Sequence, residues 1–111
     1  MKIDNTKAQM RKGILEFCIL QLLSAEEMYP SDIIAQLKKA KLIVVEGTLY
    51  PLLTRLKNAG ILEYRWEESK SGPPRKYYKL TPEGEIFLND LKTTWEELKT
   101  AVNTTLNNRT S

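Results

Sequence analysis

The sequence of 111 residues contains no histidine and a single cysteine, Cys18. One cysteine closes no internal disulfide, and in isolation it builds no cysteine-based metal site. Without histidine, a nucleophilic cysteine also lacks the base that would usually activate it. No pair of carboxylates is placed for acid–base work and no glycine-rich loop is there to cradle phosphates, so no enzyme, metal or cofactor is expected. No apolar run approaches the eighteen residues of a membrane span. The first residues, Met1 to Thr6, lack the apolar stretch and cleavage site of a signal peptide. Taken with the lone thiol, these absences place the chain in the cytoplasm. Internal repeats and low-complexity segments are lacking too.

What is there is the composition of one globular domain, with 41% hydrophobic and 28% charged residues. The net charge of +3 is unevenly spread. Residues 1–81 hold 14 of the 17 Lys and Arg but 9 of the 14 Asp and Glu, a surplus of five positive charges, and residues 82–111 are net acidic. A polyanion would meet the first three quarters of the chain.

Residues 8–24 read as a helix so apolar in its second half (Ile14, Leu15, Phe17, Cys18, Ile19, Leu20, Leu22, Leu23) that it must be buried on two sides. One side would pack the core and the other a partner chain; Cys18 there reads as a small hydrophobe rather than a redox switch. A shorter helix is predicted over residues 31–40, with Ile33, Ile34 and Leu37 inward. Lys38, Lys39 and Lys41 at its end suit the helix dipole as well as they suit DNA. A third helix over 47–59 buries Leu49, Leu52, Leu53 and Leu56 and stops at Gly60. Pro51 should sit near its first turn. The period then changes to two. Leu62, Tyr64 and Trp66 alternate with Glu63, Arg65 and Glu67, and residues 75–80 are the expected partner strand. Residues 69–74, Ser-Lys-Ser-Gly-Pro-Pro, read as the turn of this hairpin.

A last helix is predicted from Thr81 as N-cap and Pro82 at the first position to about Leu106. Leu88, Leu91, Trp95, Leu98 and Val102 repeat at a 3-4-3-4 spacing, with Phe87 alongside. A helix of roughly 37 Å beside so small a core, carrying such a seam, points to self-association. With Ile14 and Phe17 of the first helix, these residues are the predicted dimer interface. The tail after Leu106 should fray.

The expected fold is therefore mainly helical (α+β): a winged helix-turn-helix domain over 1–81 with a two-stranded β wing, followed by a long C-terminal dimerisation helix over 82–111. Such a third helix fits the major groove of B-DNA, and a basic hairpin tip lies across the adjacent phosphates. A winged helix that binds RNA or protein is the competing reading; a polar third-helix face and a basic hairpin argue against the protein-binding form.

Two blocks carry a more specific likeness. Residues 46–56 (Glu-Gly-Thr-Leu-Tyr-Pro-Leu-Leu-Thr-Arg-Leu) with Gly60, and then Trp66-Glu67-Glu68 through Gly72-Pro73-Pro74-Arg75-Lys76-Tyr77-Tyr78 to Leu80-Thr81 and Gly84, resemble the recognition helix and wing of PadR-like regulators. The likeness covers about residues 10–105 and is nearest the short members, in which one C-terminal helix forms the dimer. It implies a sequence-specific transcriptional regulator: a repressor that acts as a homodimer on an inverted repeat of double-stranded DNA and is released by a signal. It implies Thr48, Tyr50, Thr54 and Arg55 as recognition-helix contacts and Lys70, Gly72, Pro73, Arg75 and Lys76 as the wing. Where the family often has Tyr-Gly-Tyr before the second helix, this chain has Tyr29-Pro30-Ser31, a change that affects a helix start.

Several of these residues have plainer readings. Tyr50 would also serve as surface packing, and Arg55 as a solvated helix charge paired with a glutamate. Trp95 is interface core by default. The resemblance adds an effector pocket between subunits in which its indole stacks on a planar, apolar or cationic compound. Trp66 reads as core or hairpin cover.

Overall fold

The computed structural model describes residues 1–108. Its elements are α1 (Ile3–Ala25), α2 (Pro30–Lys39), α3 (Glu46–Asn58), β1 (Leu62–Ser69), β2 (Gly72–Leu80) and α4 (Pro82–Asn108). α1, α2 and α3 surround a core of Ile19, Leu20, Leu23, Ile33, Leu37, Leu49, Leu53 and Leu56, closed from the side by Leu62, Tyr78 and Leu80 of the hairpin and by Leu88 of α4. This is the winged-helix arrangement expected from the element order.

Local chemistry sets the breaks. α3 ends in a reciprocal carbonyl cap: Gly60 N–H donates to Lys57 and Ile61 N–H to Leu56, with Gly60 at φ +81°. α2 ends the same way, Lys41 N–H donating to Lys38 and Leu42 N–H to Leu37, but here the left-handed position is taken by Lys41 at φ 67°. α4 starts at Thr81. Its Oγ1 accepts the Gly84 N–H at 2.9 Å and donates to the Gly60 carbonyl at 2.6 Å, so one hydroxyl caps α4 and ties it to the end of α3. Replacing Thr81 with valine leaves the buried Gly84 N–H without its acceptor and takes a donor from the part-buried Gly60 carbonyl. The expected loss is roughly 1–3 kcal/mol, measured by urea unfolding.

Four expectations about the elements and their ends need correction. Helix α1 begins at Ile3, five residues early. Pro51 lies in the second turn of α3, because the helix starts at Glu46; its ring faces outward, where the carbonyl it leaves without a helical donor meets solvent. The strands run on to Ser69 and from Gly72, leaving a two-residue turn at Lys70 and Ser71 in place of the predicted turn over 69–74. Pro73 and Pro74 are tolerated because the register slips there: Glu67 pairs with Arg75 but Ser69 with Gly72, so two residues of β2 oppose Glu68 alone. The last helix continues through Asn108, past the expected fraying point at Leu106, and the rest of the expected frayed tail, residues 109–111, lies outside the described residues. Met28 also pairs with Tyr78, adding a one-residue third strand that the sequence pattern did not show.

α4 divides along its length. Gly84 and Leu88 are buried and Leu91 is half-buried, whereas Trp95, Leu98, Val102 and Leu106 are all exposed. Leu88, predicted in the dimer seam, fills the chain's own core at 0% exposure and has no surface left for a partner. No helix among the described residues is long and apolar enough to cross a membrane.

Candidate nucleic-acid interface

The outward face of α3 splits in two. Thr48 and Arg55, seven residues apart, share a line on the α1 side. They border a groove of about 580 Å³ together with Arg11, Lys12, Ile43 and Pro51. Tyr50 and Thr54, four residues apart, share a line on the other side. They border a cleft of about 400 Å³ whose far wall is the hairpin, with Trp66, Pro74, Arg75 and Lys76. The start of α2, Tyr29 to Ser31, closes one end of that cleft, and its helix brings partial positive charge. Of the nine residues implied for DNA contact, Tyr50, Thr54, Arg75 and Lys76 thus meet in one place. Thr48 and Arg55 lie across the helix, and Lys70, Gly72 and Pro73 stand at the outer end of the hairpin beyond the cleft.

The two arginines implied for DNA differ in their present engagements. Arg55 is bound to Glu16 of α1 at 2.5 Å, the glutamate pairing anticipated for it. Arg75 has no ion pair among the described residues; its guanidinium lies over the Tyr29 ring, 4.8 Å from the centroid. Lys70 and Lys76 are also without ion pairs among the described residues, and the Lys76 ammonium sits 4.5 Å from the Tyr64 ring and 5.2 Å from that of Trp66. An ammonium held by aromatic faces keeps its full charge for an incoming phosphate, whereas a salt-bridged cation must first give up a carboxylate.

Trp66 belongs to the hairpin cover rather than the core. It is 60% exposed and stands edge-on to Tyr64 at 6.0 Å. Alternation placed it correctly on the Tyr64 side of β1, where it borders the open cleft beside Tyr50 and Thr54, with the Lys76 ammonium against its ring, and so stays largely exposed. Tyr29, Pro30, Ser31, Trp66, Pro74 and Tyr78 are the cleft residues that the sequence reading did not assign to this surface. The approach of the α2 start to β2 depends on the Met28–Tyr78 pairing, which no local pattern announces.

The opposite face of the hairpin is fixed by charge. Arg65 donates to Glu27 through Nε at 3.0 Å and pairs with Glu67 at 2.8 Å. The hydrogen bond from Arg65 holds the Glu27 carboxyl below the usual carboxylate range. Tyr77 stacks on Tyr29 with centroids 3.9 Å apart; the Tyr29 hydroxyl, and then burial, push the Tyr77 phenol up to about 12.

A separate apolar groove of about 430 Å³ runs between α1 and α4. Of the residues expected at a dimer interface, Ile14, Phe17, Leu91, Trp95, Leu98 and Val102 line it, along with Met10 and Gly13. Phe87 lies outside it. Trp95 is 37% exposed and touches Phe17 at 6.4 Å between centroids. Cys18 is half-buried against the core, and burial pushes its thiol up, which suits the small-hydrophobe reading. No cluster of three metal-ligating side chains occurs among the described residues.

Comparison with known proteins agrees with this architecture. Residues 19–90 match the model of the transcriptional regulator PadR-like family. A PadR-like transcription factor from Bacteroides fragilis is 64% identical, with 90% of this chain and 97% of that one covered at a TM-score of 0.77. A PadR-like transcriptional regulator from Bacillus cereus is 40% identical, with 88% and 96% covered at a TM-score of 0.79. A PadR family regulator from Eggerthella lenta is 31% identical, with 94% and 91% covered at a TM-score of 0.85. The motifs of α3 and the hairpin, the winged-helix fold and these matches converge: the chain belongs to the PadR-like family of transcriptional regulators, a DNA-binding family and not one of enzymes.

Proposed function

We propose that the protein represses transcription as a homodimer on an inverted-repeat operator. Residues 1–81 act as the DNA-binding unit and α4 as the dimerisation helix. The observation that carries this reading is the cleft itself, which Arg75 and Lys76, without ion pairs among the described residues, border together with Tyr50 and Thr54 of α3. Two α3 helices enter successive major grooves, with half-sites one or two turns of about 10 base pairs apart. Tyr50 and Thr54 read base edges or sugar, and the wing neutralises phosphates. Thr48 and Arg55 contact the flank nearest α1; Arg55 then exchanges Glu16 for a phosphate, so its net contribution is smaller than that of Arg75. Lys70, Gly72 and Pro73 bring the hairpin end against the neighbouring backbone.

The exposed row of Ile14, Trp95, Leu98 and Val102 supports the dimer, since so continuous an apolar strip is costly to leave in water. Replacing Leu98 and Val102 together with glutamate places two desolvated charges in that interface. The expected result is a monomer by sedimentation, still folded by circular dichroism, with operator affinity reduced by a factor on the order of 100 through loss of the second half-site. A planar or apolar effector fits beside Trp95, where it would favour one dimer opening angle and move the α3 helices off the groove repeat. A dimer structure with its two Trp95 indoles packed together and no space between them would remove that part of the proposal.

Fluorescence anisotropy with labelled DNA from upstream of the protein's own gene tests the whole, using a scrambled competitor and a salt series. Tight, sequence-preferring binding with one dimer per site and a steep salt slope is expected. Binding to RNA with no preference for duplex DNA would transfer the surface to another partner.

A further inference from the structure

The wing carries a feature that DNA binding in general does not require. Four planar groups are stacked in sequence across the junction between the hairpin and the start of α2. The Arg65 guanidinium lies 4.7 Å from the centroid of the Tyr77 ring, Tyr77 stacks on Tyr29 at 3.9 Å and 24°, and the Arg75 guanidinium lies over the Tyr29 ring, 4.8 Å from its centroid. Cross-strand register puts Arg65 opposite Tyr77 and Glu67 opposite Arg75, so three of the four layers come from one face of the hairpin. The fourth, Tyr29, comes from the residue that opens α2, whose backbone N–H is held by the Asp32 carboxylate at 3.2 Å. The far end is anchored by Glu27 and Glu67 on Arg65.

We propose that this Arg65–Tyr77–Tyr29–Arg75 stack is a positioning device that sets the wing's Arg75 at a fixed distance and orientation relative to α2 and α3. Tyr77 and Arg65, which stay outside the cleft, are its positioning residues. The inference deepens the DNA-binding reading and rests on it. An arginine on an exposed hairpin samples many rotamers, and each must be given up when it grips a phosphate. Stacking on Tyr29 removes most of that loss beforehand while leaving all the guanidinium N–H groups in the ring plane for a bidentate contact. Because Tyr29 belongs to α2, the cation is referenced to the helix-turn-helix unit rather than to the hairpin alone. A wing contact and a recognition-helix contact are then made in one register. Lys76, on the other hairpin face, is held separately by Tyr64 and Trp66 and supplies a point charge without this directionality.

The test uses the full-length protein and a duplex that the wild type selects from a random DNA pool. Tyr77→Leu removes the middle of the stack without removing a charge, and Tyr77→Phe keeps it. Expected for Tyr77→Leu is a loss of operator affinity of about fivefold with an unchanged salt slope, full affinity for Tyr77→Phe, and no further loss when Tyr77→Leu is added to Arg75→Ala. Equal losses in the presence and absence of Arg75 would show a merely structural role for Tyr77 and overturn the proposal, as would unchanged affinity in Tyr77→Leu. Relaxation of the Arg75 Nε–H signal by NMR reads the same ordering in the free protein: restricted in the wild type and Tyr77→Phe, mobile in Tyr77→Leu. A side chain equally mobile in all three overturns the proposal without reference to DNA. A wild type that selects no duplex while Arg75 is restricted sinks the DNA-binding reading, and with it the phosphate role assigned to the stack.

Discussion

Replacing Arg75 and Lys76 together with alanine is expected to weaken DNA binding by roughly thirtyfold near 0.15 M salt and to lower the slope of log affinity against log salt by about 1.8. Both numbers come from counterion release. Each phosphate neutralised on duplex DNA contributes about 0.9 to the slope, and that entropy is lost with the cation. These two side chains have no carboxylate partner among the described residues and line the cleft beside α3, so their charge is not already spent within the fold. Since phosphates carry no sequence information, the loss should be the same for the preferred and the scrambled duplex. Tyr50→Ala or Thr54→Ala should instead alter which duplex is preferred. Arg55→Ala provides an internal comparison, because its guanidinium is held by Glu16 and its removal should flatten the slope by less. Titrations of the variants across a salt series decide the matter. A double variant with an unaltered slope would mean that the hairpin does not touch the backbone.

Gly84→Ala should be among the most damaging single-methyl additions in the molecule, at about 3 kcal/mol, with a fall in Tm on the order of 10–20 °C. Gly84 is the third residue of α4, where the helix crosses the start of β1. A Cβ built there runs into the carbonyl of Ile61. That carbonyl cannot swing aside without breaking the bond it accepts from the Thr81 N–H at 3.0 Å. The clash is with backbone rather than with the end of a flexible side chain, so relief requires moving the whole first turn of α4 and with it Leu88. Gly47→Ala is the matched control. A methyl at that helical position meets nothing within 4 Å, and the higher helix propensity of alanine should leave stability level or raise it by about 0.5–1 kcal/mol. Thermal unfolding of the two variants side by side separates backbone collision from any general intolerance of glycine replacement.

Much of this protein was legible before its structure. The apolar spacing in α2, α3 and α4, the Thr81-Pro82 start and the Gly60 stop are local signals, since a helix buries a stripe whose period is set by its own geometry and ends where its carbonyls find a cap. The change to a period of two at Leu62 marked the hairpin for the same reason. The order of these elements then limited the fold, and the motifs of α3 and the hairpin named the family. The misreadings have a common cause. Pro73 and Pro74 read as turn residues, yet a bulge opposite Glu68 holds them in β2. Leu88 read as part of a seam with Leu91, Trp95 and Leu98, yet the curvature of the domain takes in the first turns of α4 and leaves the rest exposed.

The sequence by itself therefore determined the kind and order of the elements, the Thr81 start of α4 and the Gly60 stop of α3, the polar face of α3 and the surplus of positive charge on the first 81 residues. Only the tertiary structure decided that Arg55 is held by Glu16 while Arg75 and Lys76 rest on aromatic rings, that Tyr29 joins the wing to α2, and that Gly84 bears on Ile61. Periodicity reports which side of an element is buried, because each residue contributes to that independently. Pairing between side chains 10 to 60 residues apart depends on how the elements cross, and no local spacing encodes that angle.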